Sequence, residues 1–187
     1  MRVTSTALEG LLIIDPQIFA DERGLFAETW SSDRYAAAGI PTSFAQDNVS
    51  RSTRGVLRGL HLQHPHEQGK LVHAAEGEVY DVAVDVRMGS PTFGAWFGYR
   101  LSGDSLRQLY VPEGFAHGFC VTSSHAVFSY KCTASYSREN ELGIRWDDPD
   151  LAIPWPVSRP ILSEKDATLP FLRDIPPGRL PVYRERP

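Results

Sequence analysis

Residues 56–72, Val-Leu-Arg-Gly-Leu-His-Leu-Gln-His-Pro-His-Glu-Gln-Gly-Lys-Leu-Val, set Arg58, His61 and Lys70 into an otherwise apolar, strand-like stretch. Burying a charge is costly unless the charge finds a partner. Two cations close together ask for an anionic ligand, and a histidine between them suits proton transfer near neutral pH. Strict two-residue alternation puts Arg58 and His61 on opposite faces of a strand. Gly59 lies between them, and a bulge there would bring both to one side.

Other residues carry weaker signals. Phe128, Tyr130 and Cys132 share one face of a strand-like run, opposite Val127, Ser129 and Lys131. A phenol on an inward face needs a hydrogen-bond partner, so Tyr130 reads equally as a core tyrosine or as an acid. Tyr136 has the same ambiguity. Arg23 precedes Gly24 and fits either a surface hairpin or a forked grip on phosphate. Asp166 sits in the polar run Leu-Ser-Glu-Lys-Asp and reads by itself as a solvated carboxylate. His61, His64, His66, His73 and His117 raise the question of a metal. Pro-Glu-Gly-Phe-Ala-His at 112–117 is half of a pattern found in metal-binding β-barrels. The other half, His-x-His followed within about four residues by Glu, is poorly met, because His64 and His66 flank Pro65 and read as loop. No metal site is expected.

Many short strands must position these groups. The clearest covers residues 78–86, with Tyr80, Val82, Val84 and Val86 on one face and Val79, Asp81, Ala83 and Asp85 on the other. Further strands are expected at 11–14, 24–29, 47–52, 56–62, 70–76, 95–101, 108–111 and 116–121. A short helix is expected at 33–38, capped by Ser31 or Ser32. The pattern predicts an all-β antiparallel jelly-roll barrel able to enclose one small ligand. After Pro149 the prolines crowd together, predicting an extended C-terminal arm around the barrel, with a turn or helix near 163–167 and mobile last residues.

Composition sets the bounds. The chain has 187 residues, 42% hydrophobic and 22% charged, with net charge −4. That fits one domain, 1–187, burying roughly 70% of its unfolded surface. Neither a nucleic-acid nor a membrane partner is indicated. Cys120 and Cys132 read as buried reduced thiols, and no signal-peptide or membrane-span pattern occurs, so a cytoplasmic protein is expected.

Taken together, the segments resemble the dTDP-4-dehydrorhamnose 3,5-epimerases of the metal-independent cupin superfamily. The matching runs are Asp-x-Arg-Gly-x-Phe-x-Glu (21–28), Gln-x-Asn-x-Ser (46–50), Val-Leu-Arg-Gly-Leu-His-x-Gln (56–63), Gln-x-Lys-Leu-Val (68–72) and Gly-x-x-x-Asp-Val-Ala-Val-Asp-x-Arg (77–87). They continue with Ser-Pro-Thr-Phe-Gly (90–94), Pro-x-Gly-Phe-Ala-His-Gly-Phe (112–119), Tyr-Lys-Cys-Thr (130–133) and Leu-Ser-x-Lys-Asp (162–166). The resemblance implies that His61 is a general base and Asp166 the carboxylate orienting it. Tyr130 is then an acid on the opposite sugar face, and Lys70 the cation beside the C4 oxygen. It places Arg58, Arg23, Gln46 and Asn48 on the diphosphate and nearby sugar, and Phe26, Glu28 and Tyr136 at the thymine and deoxyribose end. His117 and Asp81 would line the same pocket. The implied substrate is a dTDP-4-keto-6-deoxyhexose, inverted at C3 and C5 without metal or redox cofactor. The implied assembly is a homodimer in which residues 23–28 serve the neighbouring site. Inversion at C3 or C5 alone, a non-catalytic sugar-nucleotide-binding barrel and a metal-dependent cupin oxygenase are the alternatives.

Overall fold

The computed structural model describes residues 1–184. In chain order the elements are β1 (Arg2–Ser5), β2 (Leu12–Asp15), β3 (Ile18–Asp21), β4 (Gly24–Ala27), α1 (Ser32–Ala37), β5 (Gln46–Thr53) and β6 (Leu57–Gln63). They continue with β7 (Lys70–Asp85), β8 (Trp96–Ser102), β9 (Gln108–Val111), β10 (Phe115–Cys132), β11 (Glu141–Gly143) and α2 (Glu164–Ala167).

Two long strands organise the jelly roll. β7 and β10 pair antiparallel along most of their lengths. The first residues of β7 also pair with β9, and its later residues with β8. Likewise β10 begins beside β6 and ends beside β5. Each long strand therefore turns a corner and joins both layers. The corner shows as a register shift between Val121 and Ala126, opposite Gly77 at φ +73°. A Cβ on Gly77 would stand 2.1 Å from the His125 carbonyl, so only glycine fits.

The alternation on β7 fills two cores. Val72, Ala74, Val79 and Ala83 pack with Phe115, Phe119 and Phe128 between the layers. Val82, Val84 and Val86 face the other way and are covered by Leu151, Leu172, Ile175 and Leu180 of the C-terminal arm. Each such side chain contributes about 1.5–3 kcal/mol on burial. The arm is also tied by parallel bridges from Val56 to Ile161 and from Met88 to Val182. Trp30, Tyr35 and Ile40, in and around α1, pack on Ile14, Leu71 and Tyr110. Tyr35 donates to Gln108 Oε1 at 2.6 Å, and burial, aided by the Glu28 charge, pushes its phenol up to about 12.

The expected barrel, arm, α2 region and buried free thiols are all present. Three details differ. The expected strands 70–76 and 78–86 are one strand, as are 116–121 and the run ending at Cys132, because Gly77 bends the ladder without breaking it. The three- and four-residue strands β1, β3 and β11 were too short to show a period. Ser31 occupies the α1 N-cap without a side-chain cap bond, and its carbonyl accepts from Tyr35 N instead. Residues 185–187, part of the C-terminal end expected to be mobile, lie outside the described residues. No helix among the described residues is long and apolar enough to cross a membrane.

β3 and β4 form a separate two-stranded sheet. Phe19, Leu25 and Phe26 stand exposed on it, Phe26 at 68%.

Candidate active site

The bulge at Gly59 builds the site. On β10, His117 pairs with His61 and Phe119 with Arg58, so Gly59 and Leu60 of β6 together oppose the single residue Gly118 of β10. The extra residue returns Arg58 and His61 to one side. Gly59 (φ +119°) lies so close to β10 that a Cβ would stand 2.6 Å from Gly118 Cα and 2.7 Å from the His117 carbonyl. The result is a cavity of about 250 Å³ onto which Arg58, His61, Lys70, His117, Tyr130 and Asp166 all open.

His61 Nε2 lies 2.6 Å from an Asp166 carboxylate oxygen, and Asp166 is buried. Ser163 Oγ accepts from Asp166 N at 3.1 Å, which caps α2 and fixes where the carboxylate points. Burial opposes ionisation of Asp166. The hydrogen bond and charge of His61, the Gly59 N–H and the Lys165 charge outweigh it and hold the carboxyl below its usual range. An ionised Asp166 accepts the Nε2 proton, and this assignment of the tautomer leaves the Nδ1 lone pair as the basic nitrogen.

Lys70 opens β7 with only 8% exposure. Its ammonium donates to the His61 carbonyl at a long 3.5 Å. Burial pulls its pKa down, opposed by the negative potential of Cys132, Asp81 and Glu141. Such a group gains much from a negative oxygen placed beside it. Tyr130 on β10 has no hydrogen-bond partner for its hydroxyl among the described residues. Burial first, then Cys132, pushes its phenol up, with Arg58 opposing. Arg58 donates from Nε and Nη2 to Ser52 Oγ, both at 3.2 Å. His117 bonds both Asp81 oxygens at 3.0 and 2.9 Å and stacks on Phe128.

A second cavity of about 300 Å³ shares His61, Lys70 and Tyr130 with the first and adds Gln46, Asn48, Tyr136 and Glu141. Gln46 donates to Asn48 Oδ1 and accepts from Tyr136 N, both at 2.8 Å. Glu141 joins the two sides of the opening, taking Lys165 at 2.7 Å and the Tyr136 hydroxyl at 3.1 Å.

Nine of the thirteen residues singled out from the sequence therefore converge on adjoining cavities, while Asp81, expected to line the pocket, is fully buried behind His117 and reaches neither. Arg23, Phe26 and Glu28 stand apart from both. They lie on or beside the β3–β4 hairpin, Arg23 paired with Asp21 at 2.6 Å and Glu28 with Arg34 at 2.5 Å. Glu141, Lys165 and Ser50 line the cavities and were missed. Glu141 begins a three-residue strand with no visible period, and Lys165 sits in a turn that looked solvated. His64 and His66 lie between β6 and β7, His64 paired with Glu67 and His66 at φ 66°. No cluster of three or more His, Cys, Asp or Glu suited to a metal occurs among the described residues.

An oriented imidazole, a buried ammonium and an unpartnered phenol around one cavity are the parts for proton transfer at a carbon beside a carbonyl. The class defined by barrel and site is a cupin-type carbohydrate isomerase. A family model described as dTDP-4-dehydrorhamnose 3,5-epimerase matches residues 5–174. A dTDP-4-dehydrorhamnose 3,5-epimerase of Shigella flexneri is 52% identical over 89% of this chain and 93% of its own. A Legionella pneumophila 3,5-epimerase, solved in complex with dTDP-4-keto-L-rhamnose, is 50% identical with TM-score 0.96, covering 98% of this chain and 99% of its own. A dTDP-4-dehydrorhamnose 3-epimerase of Streptomyces niveus is 42% identical over 98% of this chain and 90% of its own. The chain belongs to the dTDP-4-dehydrorhamnose 3,5-epimerase family and is an isomerase.

Proposed function

We propose that this chain inverts C3 and C5 of dTDP-4-keto-6-deoxyglucose through an enolate, in cytoplasmic deoxysugar synthesis, with the following division of labour. The observation that carries the reading is the 2.6 Å His61–Asp166 pair opening onto the same cavity as Lys70 and Tyr130. The C4 ketone acidifies the hydrogens on C3 and C5. His61 Nδ1 takes one of them and becomes an imidazolium that Asp166 stabilises. The electron pair moves onto the C4 oxygen, where the Lys70 ammonium meets a full negative charge that the ground state lacks. Tyr130 then delivers its proton to the opposite face of the same carbon. The imidazolium loses its proton to water and the phenolate regains one, which readies the site for the second carbon.

Arg58, Gln46 and Asn48 hold the diphosphate and nearby sugar, and Tyr136 meets the base. The Legionella relative binds a 4-keto sugar nucleotide of this class, which supports the substrate assignment. The exposed Phe19, Leu25 and Phe26 support a homodimer in which the hairpin lies on a second copy and brings Arg23, Phe26 and Glu28 to that copy's site.

The test is incubation with dTDP-4-keto-6-deoxyglucose in heavy water. Deuterium at C3 and C5 with both centres inverted is the expected result. Inversion at C3 alone would assign the narrower activity of the Streptomyces relative, and no incorporation from folded protein would remove the reading. For the hairpin, mixing Arg23→Ala with His61→Asn is expected to restore activity that neither variant has alone. A mixture as inactive as its components would separate Arg23 from the neighbouring site.

A further inference from the structure

The inward face of β5 carries a polar ladder: Gln46, Asn48, Ser50 and Ser52, alternating with the exposed Asp47, Val49 and Arg51. Three rungs have partners. Gln46 bonds Asn48 and Tyr136, Asn48 also contacts Cys132 Sγ at 3.7 Å, and Ser52 receives Arg58. Ser50 differs. Its hydroxyl is shielded from solvent, lines the 250 Å³ cavity and has no hydrogen-bond partner. It sits opposite Phe128 in the β5–β10 register, one rung from the residue paired with Tyr130. A buried donor left unmade is disfavoured, so a hydroxyl held this way beside Arg58 is matched to a polar atom that arrives with a ligand.

The position narrows which atom that is. Ser50 borders the compartment that holds Arg58, His117 and Asp166, whereas Gln46, Asn48 and Tyr136 line the adjoining one and His61, Lys70 and Tyr130 face both. On the proposed substrate C1 carries the nucleotide, C4 is a ketone and C6 a methyl group, so C2 and C3 bear the only ring hydroxyls. The C3 hydroxyl changes side during inversion. A fixed partner that serves substrate and product alike is matched to the C2 hydroxyl. We propose that Ser50 is a specificity-determining residue that binds the C2 hydroxyl of the hexose and so selects 2-hydroxy over 2-deoxy 4-keto sugars. This rests on the epimerase reading.

The experiment compares wild type and Ser50→Ala on dTDP-4-keto-6-deoxyglucose and on its 2-deoxy analogue, with affinity for dTDP alone measured by calorimetry. Ser50→Ala is expected to lower kcat/KM about 10-fold on the normal substrate, the scale of one uncharged hydrogen bond. Wild type is expected to lose a similar factor on the 2-deoxy sugar, and the variant to lose no more than about twofold further on it. Affinity for dTDP should stay unchanged. Independent, additive losses would overturn the proposal, as would an unchanged kcat/KM in a folded variant. Weakened binding of dTDP itself would move the contact to the diphosphate and overturn it too. If Ser50→Ala does not fold, wild-type discrimination against the 2-deoxy sugar still decides, equal turnover of both sugars overturning the assignment. Absence of any exchange by wild type, in contrast, removes the epimerase reading rather than the role of Ser50.

Discussion

Asp166 meets His61 at 2.6 Å although 105 residues separate them in the chain. The barrel supplies the imidazole and the arm supplies the carboxylate. Ser163 at the α2 cap sets the direction of approach.

Replacing Asp166 by Asn removes the charge that stabilises the imidazolium, and an amide that can donate as well as accept no longer fixes the tautomer. Proton exchange at C3 and C5 is expected to fall about 100- to 10,000-fold. The pair also carries a pH signature. The Asp166 carboxyl lies below its usual range when folded, so its contribution to stability is present above about pH 4 and fades as pH falls through the lowered value. The Tm gap between wild type and Asp166→Asn should therefore narrow on acidification. A gap that widens in acid would contradict this.

Tyr130→Phe keeps the ring and deletes the proton. Inversion is expected to fall about 100-fold or more while exchange without inversion, seen as deuterium in recovered substrate, declines less. Equal loss of both would place Tyr130 elsewhere in the cycle.

Lys70 contributes to function against stability. Burial holds its pKa below the usual lysine range, so carrying the ammonium inside the fold costs stability, and that cost lifts as pH rises from the lowered value toward the ordinary one. Lys70→Met is expected to raise Tm near neutral pH while lowering kcat about 100- to 1,000-fold. The Tm advantage should shrink in alkaline buffer. Calorimetry across pH checks the first part and initial rates the second.

Gly59→Ala tests the bulge. The added methyl would collide with Gly118 Cα and the His117 carbonyl in a backbone conformation alanine avoids. A loss of about 2–4 kcal/mol in urea unfolding is expected. Gly24→Ala, where the hairpin leaves open space, should cost less despite its positive φ.

Much of this architecture was legible in the chain. Alternation on β7 gave away two buried faces, and Gly59 marked the bulge joining Arg58 to His61. Asp166 was not legible from its neighbours. A carboxylate in a polar turn has the same local pattern whether water or an imidazole receives it, and only the docking of the arm distinguishes the two. Glu141 and Lys165 escaped for the same reason, since each takes its meaning from a partner 24 residues away. Ser50 was invisible in another sense. Its significance lies in a bond it does not make.

The arm that delivers Asp166 has a bearing on biosynthesis. Translation runs from the N-terminus, so the barrel strands, ending with β11, leave the ribosome before α2 does. While only these strands have emerged, the outer core of β7 still lacks its cover of Leu151, Leu172, Ile175 and Leu180, and His61 lacks the carboxylate that orients it. Both arrive with residues 151–180, so closing the outer core and arming the base are one event.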